Sequence, residues 1–130
     1  TNITFGAFET SNTMSQEVTV TDASGSAGKI VGPGYQSLYI PVDPVTQTIK
    51  LRGRYDTNHG ATNKPQIKLV ANPAIGVTAQ TVTHSGLVNT WADMSFAAIT
   101  PTAKGTLEIQ LISRAAAGNG VAYFDTASVS

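Results

Sequence analysis

Asn89-Thr90-Trp91, then Thr106-Leu107-Glu108-Ile109-Gln110-Leu111-Ile112, then Gly120-Val121-Ala122-Tyr123-Phe124-Asp125-Thr126-Ala127-Ser128-Val129 are the stretches on which the fold turns. In the second of them Leu107, Ile109 and Leu111 alternate with polar residues. That is the period of two expected of a strand with one face in a core and one in water. In the third, Tyr123 and Phe124 point to opposite faces, so at least one of them is core. Together the three read as the closing strands of a β-sandwich whose last strand returns beside the first, and the chain reads as one complete module.

The same period runs outward through the rest of the chain. Candidate strands are Ile3–Phe8, Gln16–Asp22, Gln36–Val42, Thr48–Tyr55, Gln66–Ala71, Ala79–Thr83, Trp91–Ala98, Thr106–Ser113 and Val121–Val129, separated by clusters of Gly, Pro, Asn, Asp and Ser. No sustained helical period occurs. The expectation is an all-β antiparallel β-sandwich, a jelly roll of about eight to nine strands without significant helix. Ile49, Leu51, Gly53 and Tyr55 share one face of their strand and join the core, while Ala115-Ala116-Ala117-Gly118-Asn119-Gly120 forms a hairpin tip.

Composition excludes several classes of function. The chain has 130 residues, a length suited to one domain, with a formal net charge of zero and 12% charged residues. Such a balance offers no field to recruit nucleic acid or an anionic membrane. There is no cysteine, hence no disulfide and no thiolate metal site. No run approaches the roughly eighteen apolar residues a membrane helix requires, and the N-terminus lacks the layout of a signal peptide. Thr1 is compatible either with removal of an initiator methionine or with a cut at a domain or leader boundary.

Enzymatic readings fail on inventory. His59 and His84 are the only histidines, and no serine sits in a nucleophile-elbow motif. Ser85 beside His84 is mere adjacency. Gly25-Ser26-Ala27-Gly28-Lys29-Ile30 carries a Gly-Lys step, but Ile30 stands where a phosphate-binding loop requires Ser or Thr, so the segment reads as a Gly-rich turn. Asn2-Ile3-Thr4 fits a glycosylation acceptor, a triplet common by chance.

Leu38-Tyr39-Ile40-Pro41-Val42-Asp43-Pro44 followed by Thr48-Ile49-Lys50-Leu51-Arg52-Gly53-Arg54-Tyr55 resembles the central strands of galactose-binding-like jelly rolls, the fold of many non-catalytic carbohydrate-binding modules. Asn89-Thr90-Trp91, Phe96, Leu107–Leu111 and Tyr123-Phe124-Asp125 resemble that family's closing pattern, and Gly6-Ala7-Phe8-Glu9 is similar to its opening strand with one residue inserted. The resemblance implies a structural calcium ion held by Glu9 and Asp125, and calcium does favour sets of oxygen ligands. It also implies that Trp91 belongs to the core.

Glycan recognition calls for aromatic faces that stack on sugar C–H groups and polar side chains that meet the hydroxyls. The candidates are Tyr35, Tyr39 and Tyr55, with Asn58 in the polar loop Asp56-Thr57-Asn58-His59-Gly60. Alternation sets Lys50, Arg52 and Arg54 on the face opposite Ile49, Leu51 and Tyr55, with Lys68 as an extension on a paired strand and Glu108 and Asp93 as balancing charges. Arg52 and Arg54 could meet an anionic glycan or a neighbouring subunit through forked hydrogen bonds, or lie on a solvated face. Two non-catalytic functions follow. The first is a structural or adhesive module, possessing glycan-binding capacity or not, that contacts other protein subunits at a virion surface or in an extracellular filament. The second is a carbohydrate-binding module of a secreted polysaccharide-degrading enzyme.

Overall fold

The computed structural model describes residues 2–3, 14–17 and 27–130. Among these the chain forms ten strands: β1 (Asn2–Ile3), β2 (Met14–Glu17), β3 (Ala27–Val31), β4 (Gly34–Val42), β5 (Ile49–Tyr55), β6 (Gln66–Leu69), β7 (Gln80–Thr83), β8 (Ala92–Ser95), β9 (Gly105–Ser113) and β10 (Val121–Val129). A 3₁₀ turn, Pro73–Ile75, lies between β6 and β7. The all-β antiparallel sandwich expected from the alternation is the observed architecture. The expected strands over 3–8 and 16–22 lie largely outside the described residues.

Two sheets face one another. The first has the order β2-β3-β10-β5-β8, with β1 also on β10, and the second the order β4-β9-β6-β7. The last strand does run beside the first, through Asn2 opposite Ser128 and Ile3 opposite Ala127. Between Asp125 and Ser128 the β10–β5 register shifts, the mark of a bulge that bends a strand locally.

Alternation explains the core. Leu38, Ile40 and Val42 of β4, Ile67 and Leu69 of β6, and Leu107, Ile109 and Leu111 of β9 point inward from the second sheet. Ile30, Ile49, Leu51, Met94 and Phe124 meet them from the first. Gly53 belongs to this layer because a Cβ there would stand 2.6 Å from Met94 Sδ. Its missing side chain makes the space that Met94 fills.

Two readings of the sequence are corrected. Residues 27–30 of the segment expected to be a Gly-rich turn belong to strand β3, because β2 and β10 pair with it on both sides and that pairing overrides its poor local propensity; residues 25 and 26 lie outside the described residues. Trp91 is only half-buried and lies outside the core, on the outer side of the first sheet, where the Arg52 guanidinium carbon is 4.8 Å from its ring centroid. Pro41 is tolerated within β4 because this is an edge strand, where a missing N–H breaks no ladder.

Candidate functional site

The outer face of the four-stranded sheet carries the most exposed aromatic surface among the described residues. Leu38 and Ile40 anchor β4 to the core, which turns Tyr35, Ser37 and Tyr39 outward; Tyr35 is 55% and Tyr39 62% exposed. Four residues of extended chain separate the two rings' Cα atoms by roughly 13 Å. Register then sets their neighbours on β9: Ile112 opposite Tyr35, Gln110 opposite Ser37, Glu108 opposite Tyr39. On β6, Gln66 and Lys68 continue the rows beside Ile112 and Gln110.

Glu108 is the polar centre of this face. Its Oε2 accepts a hydrogen bond from Ser37 Oγ at 2.7 Å and another from Gln110 Nε2 at 3.2 Å. Two donors on one oxygen fix the carboxylate's orientation. Beside it a groove of about 320 Å³ is lined by Tyr39, Val70, Ala71, Asn72, Thr106 and Glu108. Its wall is held by Asn72 Nδ2 donating to the Thr106 carbonyl at 3.2 Å and by paired backbone bonds between Asn72 and Val77. Gly76, at φ 72°, takes the left-handed conformation that closes the 3₁₀ turn. A stacking ring, a fixed acceptor and amide groups around a shallow groove can hold a hydroxyl-rich chain against the sheet.

Of the ligand contacts expected from sequence, Tyr35 and Tyr39 come together here and Tyr55, Asn58, Arg52 and Arg54 do not; Glu108 and Lys68, expected beside the arginine row, lie on this face instead. Tyr55 takes the core place that its alternation with Ile49 and Leu51 predicts, which corrects its listing as a glycan contact: it is fully buried, its hydroxyl donates to the Gly86 carbonyl at 3.0 Å, and its ring meets His84 edge-on at 5.0 Å. Asn58 sits on an exposed turn tied to the β9–β10 loop, where Asp56 Oδ1 accepts from the amides of His59 and Val121 at 2.8 and 3.0 Å; that loop crosses from one sheet to the other, which corrects the hairpin tip expected of residues 115–120. Arg52 and Arg54 lie across the sandwich on the outer face of the first sheet. Lys68 is not with them, because β6 belongs to the other sheet. Glu108 likewise balances none of that row, whereas Asp93 lies 3.9 Å from Lys50. Ser37, Gln110, Asn72 and Thr106 were not singled out; alternation could have put Ser37 between the tyrosines, but no local pattern brings Asn72 to Thr106.

The expected calcium site can be judged at one end. Glu9 lies outside the described residues. Asp125 is buried, and Arg52 Nη1 lies 3.8 Å from its Oδ2, so a cation already faces this carboxylate. No three metal-ligating side chains converge among the described residues.

Both histidine rings are committed to backbone. His84 Nδ1 accepts from the Gly86 amide at 3.0 Å, so its proton is on Nε2, which faces the Gly53 and Thr90 carbonyls at 2.9 and 3.2 Å. Burial lowers its pKa from 6.5, opposed by the bonds to Gly53 and Thr90. His59 has the other tautomer: Nε2 accepts from the Arg114 amide at 3.1 Å and Nδ1 donates to the Gly60 carbonyl at 3.0 Å. Neither ring has a nitrogen to spare as a general base.

The fold has counterparts of known structure. "Family 16 Carbohydrate Binding Module-2" is similar with a TM-score of 0.60 at 17% identity, over 91% of this chain and 85% of that one. TmCBM61 in complex with beta-1,4-galactotriose gives 0.61 at 12% identity, over 91% and 81%. The Clostridium thermocellum N-terminal endo-1,4-beta-D-xylanase 10B, as CBM22-1-GH10 modules complexed with xylohexaose, gives 0.55 at 11% identity; there the match covers 100% of this chain but 28% of that one. The chain thus has the jelly-roll fold of carbohydrate-binding modules. No family model and no curated protein matches it.

Proposed function

We propose that the protein is a non-catalytic glycan-binding module that holds a linear polysaccharide along the outer face of the β4-β9-β6-β7 sheet. The observation that carries this reading is the pair Tyr35 and Tyr39, more than half exposed on one strand and set beside a fixed Glu108. Exposed tyrosines spend apolar surface in water, and a sugar face recovers that loss while Glu108, Gln110 and Asn72 meet hydroxyls. Rings carried on Cα atoms roughly 13 Å apart along one strand favour a chain of several sugars over a single one. Structural neighbours that are carbohydrate-binding modules support the same reading.

Such a module would act outside the cell, on its own or joined to a polysaccharide-degrading enzyme, as the xylanase neighbour joins one. The tyrosine pair favours this reading over a virion or filament subunit that works by protein contacts alone, and is compatible with such a subunit that also binds a glycan. The test is affinity electrophoresis and calorimetry against a panel of neutral soluble polysaccharides. At least one should retard the protein, and Tyr39→Ala should weaken it about tenfold or more, some 1.4 kcal/mol. Binding by none, or binding indifferent to both Tyr35→Ala and Tyr39→Ala, overturns the proposal.

A further inference from the structure

The groove beside Tyr39 presents three kinds of surface in a fixed order. Tyr39 on β4 pairs with Glu108 on β9, and Val70, just past the end of β6, continues the row through its amide, which donates to the Glu108 carbonyl at 3.0 Å. The row therefore runs exposed ring, carboxylate, branched apolar side chain, across roughly 10 Å of sheet. Ala71 is exposed next to Val70 and also lines the groove, whose volume is about 320 Å³. Sugar hydroxyls gain nothing from such an apolar end, whereas a methyl group is drawn out of water by it.

Glu108 divides its two oxygens between tasks. Ser37 and Gln110 both donate to Oε2, and among the described residues no group donates to Oε1. An N–H of a ligand can take that oxygen. Lys68 lies one row along on β6, opposite Gln110, and its charge partly offsets the attraction of Glu108 for an ammonium group. The ligand group that matches is therefore uncharged, carries an N–H next to the sugar ring and ends in a methyl. An acetamido group has these parts in this order: with the sugar's C–H face on Tyr39, its N–H meets Glu108 and its methyl falls on Val70 and Ala71. A hydroxyl in its place supplies the donor without the methyl, and an O-acetyl group the methyl without the donor.

We infer that this groove selects acetamido sugars, so that the polysaccharide held by the sheet is one built with N-acetylated amino sugars. The inference rests on the proposed glycan-binding function and adds the substrate class. Calorimetry with β-1,4-linked hexamers of N-acetylglucosamine, glucose and glucosamine tests it, since the three differ only in carrying acetamido, hydroxyl or ammonium at one ring position. The N-acetylated hexamer should bind about tenfold or more tighter than either of the others, the size of effect that one small apolar group has in a fitted pocket. Val70→Thr, which keeps the shape but replaces a methyl by a hydroxyl, should narrow that ratio to about threefold. Tyr39→Ala should weaken all binding, and melting curves confirm that both variants fold. Equal or tighter binding of the glucose or glucosamine hexamer overturns the inference, as does a ratio indifferent to Val70→Thr. Binding of some other neutral polysaccharide through Tyr39, with none of the N-acetylated hexamer, overturns it while leaving the glycan-binding function standing; binding of no glycan at all overturns both.

Discussion

Tyr39 stands directly opposite Glu108 across the β4–β9 ladder, its ring exposed and the carboxylate beside it held by Ser37 at 2.7 Å. Acceptor and stacking surface are thereby locked together by strand register. Glu108→Gln keeps the shape but removes the charge that strengthens hydrogen bonds from sugar hydroxyls. It should weaken binding of a polysaccharide recognised by the wild type about tenfold, and Ser37→Ala should weaken it less; titration calorimetry measures both.

Gly120 permits the β9–β10 loop, which crosses between the sheets, to approach the loop at His59, since a Cβ there would lie 2.7 Å from His59 N and 2.8 Å from the Asn58 carbonyl oxygen. These are backbone atoms that cannot rotate away. Gly120→Ala should lower stability by about 2 kcal/mol or more, while Gly118→Ala, whose Cβ would meet nothing within 4 Å, should be near neutral. Urea denaturation of both variants checks the contrast.

Ser113 ends β9 with its hydroxyl buried and without a hydrogen-bond partner among the described residues. Leaving such a group unsatisfied costs about 1–3 kcal/mol. Ser113→Ala is therefore expected to match the wild type or to exceed it by up to about 1 kcal/mol in the same assay. A clear loss of stability would mean that the hydroxyl is satisfied in solution.

His84 makes stability depend on pH. Its folded pKa lies below 6.5, so the unfolded chain binds this proton more readily than the folded one. The stabilisation is present above 6.5 and is lost as pH falls from there through the folded pKa. Protonation would also take from Gly86 the acceptor for its amide. Melting temperature should fall across this acidic range, and His84→Gln, although less stable at neutral pH, should show a shallower fall.

Asp125 is expected to depend on Arg52 rather than on a metal ion. Calcium chelation should leave the melting temperature unchanged, while Arg52→Met, which removes the cation beside a buried carboxylate, should cost about 1–3 kcal/mol. A fall on chelation that calcium restores would instead support the ligand pair Glu9 and Asp125.

Much of this was legible locally. Alternation in Thr106–Ser113 and Thr48–Tyr55 assigned Leu107, Ile109, Leu111, Ile49 and Leu51 to a core, and the same rule put Lys50, Arg52 and Arg54 outside. It also set Tyr35 and Tyr39 on one side of their strand. Strand β3 escaped notice because Gly28 and Ala27 carry no local signal; pairing with β2 and β10 makes them a strand.

The sequence by itself determined that the chain is a sandwich of alternating strands and which residues share a face of each strand, because side-chain direction reverses at every residue of extended backbone. It could not determine which strands are neighbours. Only the tertiary structure decided that Tyr39 meets Glu108, that Tyr55 is sealed under Gly86, and that Arg52 faces Asp125 on the opposite sheet from Lys68. Those pairings join residues far apart along the chain, and their register follows from how the two sheets fill a common core.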